Sequence, residues 1–533
     1  IYSNELTSYL ESLPANSIEK VEIITQPGAE FPATSGGAII NIITSKNAKK
    51  YLSATYSNGY SYTKYDQSRH RLNNSLLLNS KNKWFGWQIQ AGQNYNEGYQ
   101  RTNFRNENVV LSKNVSDRIN RFYFFKTGLK FDFKKDRLLV NYDFSTSNNN
   151  ALVDASGVGF QSSDKSNNEL DRNDVAINYQ KRFTDKSKKL DFRFNANSVK
   201  NDFELMNRTS GNSVLDNGFN QLFYQFKTDY SQDLSVLDKT KFSSGILADK
   251  LEFEALNLGV TNLDYQRTTL SAYSEFQTSY NKFDFIMGGR LESYSITGNT
   301  DSAKLIPFKQ TRFFPNATLQ YNIIPQVFVN ANYNKKISLP NTSALNPNNT
   351  SYQNPNVSIF GNPNLEPTIF DNYEVKISAF EYFFVSYSRS DANNQVMNRI
   401  IADGSGAASI SENIPQVTIH NFNFGLPIPY MLFTKGLKET LKFDFNPDEI
   451  NFLYLYVGHQ KHILPDVESK GLWFFNAMSQ IVLPSKIKFT ANYNTSSTGG
   501  NYYYFENRVP FSHQFDVTFA KKFLDNNLSF SLY

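Results

Sequence analysis

Phe125-Lys126-Thr127-Gly128-Leu129-Lys130-Phe131-Asp132-Phe133, then Lys134-Lys135-Asp136, then Arg137-Leu138-Leu139-Val140-Asn141-Tyr142-Asp143-Phe144-Ser145, is the stretch on which the fold turns. Phe125, Leu129, Phe131 and Phe133 share one face with Thr127, and Lys126, Lys130 and Asp132 share the other with Gly128. Beyond the polar turn, Leu138, Val140, Tyr142 and Phe144 alternate with Leu139, Asn141, Asp143 and Ser145. Successive strand side chains point to opposite faces, so this is a β-hairpin with one apolar face. A helical repeat would scatter the same residues around an axis.

The period recurs along the chain. Phe192, Phe194 and Ala196 oppose Arg193, Asn195 and Asn197. Leu222, Tyr224, Phe226 and Tyr230 oppose Phe223, Gln225, Lys227 and Asp229. Val327, Val329, Ala331 and Tyr333 oppose Phe328, Asn330, Asn332 and Asn334. Short turns are expected at Lys134–Asp136, Thr184–Lys189, Asn281–Lys282 and Ile323–Gln326. Between them, polar stretches read as long loops at Ser147–Arg172, Met206–Asn217, Thr297–Thr311 and Leu339–Thr368. Alternating short and long connections are the habit of an up-and-down membrane barrel. No fixed repeat of the kind propeller blades impose is present.

Bulk composition agrees. With 46 Phe and 32 Tyr but 19% charged residues, and a mean hydropathy of -0.50, the chain suits strands wet on one face and greasy on the other. No apolar run is long enough for a transmembrane helix, but a barrel strand needs only about 9–11 alternating residues. The net charge of +5 is small and dispersed, which argues against a nucleic-acid partner. There are 0 cysteines, so disulfides, thiolate metal sites and thiol nucleophiles are excluded. The fold class expected is all-β: a large antiparallel transmembrane barrel of about 20–22 strands over residues 48–533, in contact with outer-membrane lipid. Such a barrel is too wide for side chains to fill, so it is an open channel unless something plugs it.

The first 47 residues differ in texture. Glu5 to Leu13 reads as a short helix, Ser17 to Thr25 as a strand, Pro27-Gly28 as a turn, and Ala38 to Ile43 as a strand apolar on both faces except at Asn41. A strand of that kind is buried on both sides. Gly36-Gly37 before it supplies backbone freedom or close approach.

This segment resembles the C-terminal part of the plug domain of TonB-dependent outer-membrane transporters, in the form found in a Bacteroidota outer-membrane barrel family. The resemblance is carried by Ile18-Glu19-Lys20-Val21-Glu22-Ile23, Pro27-Gly28-Ala29-Glu30-Phe31 and Gly36-Gly37-Ala38-Ile39-Ile40-Asn41-Ile42-Ile43-Thr44. Later stretches extend it: Gly288-Gly289-Arg290-Leu291-Glu292 and Phe313-Phe314-Pro315-Asn316 resemble successive mid-barrel strands, and Gly361-Asn362-Pro363-Asn364-Leu365-Glu366-Pro367 resembles the re-entry of a long outer loop into its strand. Ile337-Ser338-Leu339-Pro340 departs from the family, which usually carries Arg before Pro. The resemblance implies structural roles for Pro27, Gly36, Gly37 and Asn41 in the plug, and for Arg290, Glu292, Gly361, Asn362, Pro363 and Pro367 in the barrel. It further implies that both ends are incomplete, with more plug and a TonB box before Ile1.

The function so implied is import of a scarce, bulky nutrient (a siderophore, an oligosaccharide or a peptide) driven by the TonB–ExbB–ExbD motor, without a cofactor in this chain and with a surface lipoprotein lid as an open question. The alternative of another class is a non-transporting barrel serving as an assembly subunit of a larger outer-membrane complex. Catalysis is not expected. His459 and His462 lie three apart, which on a strand sends them to opposite faces. Asp444, Asp448 and Glu449 flank a proline in a loop-like stretch, and no nucleophile elbow, P-loop or zinc signature is present. Lys126, Lys130, Asp132, Arg193, Lys227 and Asp229 should face the lumen, either guiding solute or hydrating the wall and bonding the plug. Tyr502, Tyr503, Tyr504 and Phe505 form the densest aromatic cluster, placed either at the ligand or in an interfacial girdle.

Overall fold

The computed structural model describes residues 18–24, 29, 33, 39–44, 51–64, 67–106, 109–157, 160–208, 213–301, 304–348, 357–380, 383–403, 406–440, 450–465, 469–497, 499–502, 505–507, 513–524 and 528–532. Among the described residues, alternation along the chain produces one closed barrel of 22 strands, joined for the most part as consecutive hairpins. Its strand pairs are antiparallel, except that the short strand Val357–Phe360 lies parallel to Gly406–Pro429. The expected turns are present: strands end at Asp132, Arg182, Tyr280 and Ile324 and restart at Arg137, Lys188, Phe283 and Val327.

The two faces separate as the period requires. On Phe283–Thr300, Phe285, Met287 and Leu291 are exposed on the outer wall, whereas Arg290, Glu292 and Tyr294 are buried inside. Leu222, Tyr224 and Phe226 point out, and Lys227 on the opposite face is buried. Exposed large apolar side chains on strand after strand would condemn a protein in water; on a barrel they are the surface that meets lipid.

One expectation is corrected. Ser147–Arg172 is not a loop: Arg137–Gly157 and Phe160–Arg182 pair without interruption from Arg137↔Gln180 to Gly157↔Phe160. What ends near Phe144 is the apolar outer face, not the strand. Above it the outward pairs become Thr146↔Asp171, Asn148↔Glu169 and Asn150↔Asn167, with Asn148 donating to Glu169 at 2.8 Å. A hydrogen-bonded ladder continues into water as readily as into lipid; only the side chains on it must change. The 24-residue strand Val109–Asp132 is accordingly far longer than the about 9–11 residues that cross a bilayer. Met206–Asn217 and Thr297–Thr311 are likewise mostly strand, with gaps only between Asn207 and Ser213 and between Thr300 and Phe308. Leu339–Thr368 is a genuine long connection, holding the helical turn Thr342–Leu345 and the strand Val357–Phe360.

Near the N-terminus, Ile18–Ile24 and Ile39–Thr44 form a separate antiparallel pair, with Val21↔Ile42 and Glu22↔Asn41 in register. The proposed helix Glu5 to Leu13 and the turn residues Pro27, Gly36 and Gly37 lie outside the described residues.

Candidate functional site

The inner wall is tied to the N-terminal segment at Ala29 and Ala33. These residues belong to no strand, so their backbone groups need partners from elsewhere. The Ala29 N–H donates to Glu275 Oε2 at 2.7 Å, and the Ala33 N–H donates to Glu292 Oε1 at 3.2 Å. The Ala29 carbonyl accepts from Arg290 Nη1 at 3.4 Å, and the Ala33 carbonyl accepts from the Ile337 N–H at 3.1 Å. Gly288 makes the approach possible: a Cβ there would sit 3.1 Å from that of Ala29.

Arg290 and Glu292 are neighbours on one face of the strand, at 2% and 1% exposure. Charges so deeply buried need full pairing. Arg290 Nε donates to Glu292 Oε1, its Nη2 donates to Ser271, and Tyr294 donates its hydroxyl to the other Glu292 oxygen. The guanidinium also lies over the Tyr273 ring, 5.7 Å from its centre. Below Ala33, an apolar cluster of Tyr294, Phe314, Ile337 and Ile369 closes the contact.

The Gly361–Pro367 stretch pins the long loop to the same inner wall. The Gly361 N–H donates to the Asn346 carbonyl at 2.8 Å and the Asn362 N–H to the Ala344 carbonyl at 2.6 Å. The backbones are so close that a Cβ on Gly361 would meet both carbonyl oxygens at 2.5 Å. Leu345 and Leu365 then bury themselves among Leu251, Phe253, Leu263, Tyr265 and Ile296. On the other flank Asn362 donates to the Ser411 carbonyl at 3.3 Å, and the Glu366 N–H to Asn413 Oδ1 at 2.8 Å. Pro363 and Pro367 stiffen the path between these anchors.

Arg290 and Glu292 were singled out from the sequence as a structural signature, whereas Glu275, Ser271 and Tyr294, which share their network, carry no such signal. Each is an ordinary polar or aromatic residue in an alternating strand, and only the approach of the N-terminal segment distinguishes it. Asn41 lies on a strand opposite Glu22. Lys227 and Asp229 pair inside at 3.0 Å, with Tyr273 donating to Asp229 at 2.6 Å; Arg193 stands 3.8 Å from the same carboxylate. Lys130 pairs with Asp132 at 2.9 Å and Lys126 with Asp143 at 4.0 Å. Tyr502 and Phe505 face each other across a small hairpin, while Tyr503 and Tyr504 lie outside the described residues. His462 is buried inside, and His459 stacks outside on Trp473 with ring centres 4.4 Å apart. Among the described residues no group of three His, Asp or Glu side chains converges as a metal site; Asp444, Asp448 and Glu449 lie outside them.

Solved structures share this architecture. The siderophore receptor PirA of Pseudomonas aeruginosa superposes with a TM-score of 0.64 at 13% identity, covering 97% of this chain and 82% of that one. The alcaligin receptor FauA of Bordetella pertussis gives 0.61 at 11% identity, covering 95% and 77%. The copper transporter OprC gives 0.67 at 9% identity, covering 96% and 78%. At such identities the likeness establishes the fold. Among curated protein sequences none matches. The family model of the outer membrane protein beta-barrel family matches residues 183–533, two-thirds of the chain, and this chain, a barrel of the outer membrane, belongs to that family.

Proposed function

We propose that this barrel is an active importer, a TonB-dependent receptor in which residues 1–47 are the end of a plug and residues 48–533 the wall. The observation that carries the reading is the hold of the inner wall on Ala29 and Ala33 through Glu275, Arg290 and Glu292. A ring of 22 strands encloses more space than its side chains fill, and a segment bonded across its inner wall closes part of that space. Opening it against buried, charge-assisted bonds takes work, which a motor of the TonB–ExbB–ExbD kind would supply by pulling from the periplasm.

The cargo class follows by analogy: the similar structures include siderophore receptors and a copper transporter. A scarce, bulky solute such as a metal chelate, an oligosaccharide or a peptide fits a wide barrel. The Bacteroidota form of the plug signature agrees with this assignment.

The test is labelled uptake in a deletion strain across ferric siderophores, copper, oligosaccharides and peptides, with and without a proton uncoupler. An importer loses uptake of one class, and the uncoupler reproduces the loss in the parent. A strain unchanged for every class, with the barrel co-purifying in a larger outer-membrane assembly, would assign it to scaffolding instead.

A further inference from the structure

The outer wall between Val327 and Leu483 is layered by chemistry. Cross-strand pairing puts Val329, Ile377, Val385, Phe424, Val457 and Phe475 in one continuous outward row, entirely apolar. The next row up is Ala331, Val375, Tyr387, Phe422, His459 and Trp473. The row after that is Tyr333, Tyr373, Arg389, His420 and Lys461, and above it stand Lys335, Asp371, Asp391 and Thr418, with the exposed Ile463 at the end of that row beyond Thr418. The change from hydrocarbon to charge takes two rows, the aromatic residues lie on it, and the first charges met are cations. Trp and Tyr at such a boundary mark the headgroup level of the bilayer.

Three features make the cationic row more than a solvated rim. The two acids above it are engaged: Asp371 lies 3.5 Å from Lys335, and Asp391 accepts from Arg389 Nε and Nη2 at 3.0 and 2.9 Å. Lys461 is exposed and has no ion-pair partner among the described residues. His420 Nδ1 is hydrogen-bonded to the Tyr387 hydroxyl at 2.7 Å, which leaves the ring's Nε2 for a second partner. Beside this row the outer wall is grooved, with a volume of about 530 Å³ lined by Phe285, Met287, Leu319, Ala331, Tyr373 and Val375.

We propose that this patch is a specific site for a phosphate-bearing lipid of the outer leaflet. Lys461, the Nε2 side of His420 and the remaining N–H groups of Arg389 hold the phosphate, and an acyl chain fills the groove. A zwitterionic headgroup would bring its ammonium against Lys461, whereas a phosphomonoester supplies several acceptor oxygens and a full negative charge. The site rests on the reading that the long-loop end of the barrel faces outward.

The experiment uses the purified full chain in phosphatidylcholine nanodiscs doped with lipid A or with dephosphorylated lipid A, with thermal unfolding and retained lipid as readouts. Lipid A should raise Tm by several degrees and be retained, and its dephosphorylated form should do neither. The double variant His420→Asn, Lys461→Gln should bind lipid A at least tenfold more weakly, while its Tm in pure phosphatidylcholine matches the parent and shows that it is folded. Equal effects of the two lipids, or parental binding by the double variant, would overturn the site. Both nanodisc leaflets carry the lipid, so the outcome does not depend on orientation in the cell; labelling of single cysteines in the long loops of intact cells tests that separately.

Discussion

Glu292→Ala is the most informative single change. The carboxylate accepts from Arg290, Tyr294 and the Ala33 N–H at once, at 1% exposure. Without it Arg290 keeps, among the described residues, Ser271 and the Ala29 carbonyl as hydrogen-bond partners. Removing one member of a buried ion pair costs about 3–5 kcal/mol, because the other is left buried and charged. The Ala33 amide loses a bond to a charged acceptor, a loss of about 1.5–3 kcal/mol. That corresponds to hydrogen exchange about 10- to 150-fold faster at this one amide. Ala29, held by Glu275, should change far less. The double variant Arg290→Met, Glu292→Leu separates the two effects: with both charges gone most of the stability returns, yet Ala33 stays unprotected. Exchange at Ala33 in Glu292→Ala that equals the parent would refute the claim that this carboxylate holds the N-terminal segment.

Three further outcomes follow. Gly361→Val puts a side chain onto the Ala344 and Asn346 carbonyls and should free the loop, so that limited proteolysis cuts within residues 339–368 while the barrel keeps its heat-modifiable gel mobility. Leu345→Ala, which empties a fully buried position under the same loop, should cost about 2–5 kcal/mol of loop docking and accelerate the same cleavage without altering the ion pair at Arg290. Met287→Arg, on the lipid face at 69% exposure, should destabilise the barrel by about 2–4 kcal/mol in bilayers, read from urea unfolding; a neutral result would mean that this face does not meet hydrocarbon.

The barrel was legible in the sequence because its physical cause is local. Lipid outside and water inside impose opposite demands on adjacent residues, and that contrast is written into each strand, as at Phe125–Phe133. The same cause explains the misreading of Ser147–Arg172. Once the wall rises above the lipid its outer face is wet and the apolar outward period ends, so Asn148 and Glu169 look like loop residues although they pair across a ladder; the inward Ala151, Val153 and Ala155 stay buried. At the anchor, Arg290 and Glu292 stood out as a motif, but their roles depend on Ala29 and Ala33, more than 250 residues away in sequence. Glu275 is separated from Ala29 by 246 positions and carries no motif at all. Gly361 was legible as a stiffening element of a loop; that its missing side chain admits two carbonyls is a property of the folded contact. The apolar lining under Leu345 and Leu365 was not foreseen, since an inner wall was expected to be wet and here a loop covers it.

The absence of cysteine makes the most direct test a clean one. A disulfide needs Cβ atoms about 3.5–4.5 Å apart, a separation small shifts allow between Ala29 and a residue at position 288, whose Cβ atoms would start 3.1 Å apart. Position 289 faces the opposite way, where a Cβ meets the outward Phe313 ring. In outer membranes, oxidised Ala29→Cys, Gly288→Cys protein should give the cross-linked peptide by mass spectrometry, and Ala29→Cys, Gly289→Cys should not. A cross-link at 289 that equals or exceeds the one at 288 would mean that the N-terminal segment does not lie against the inside of the wall.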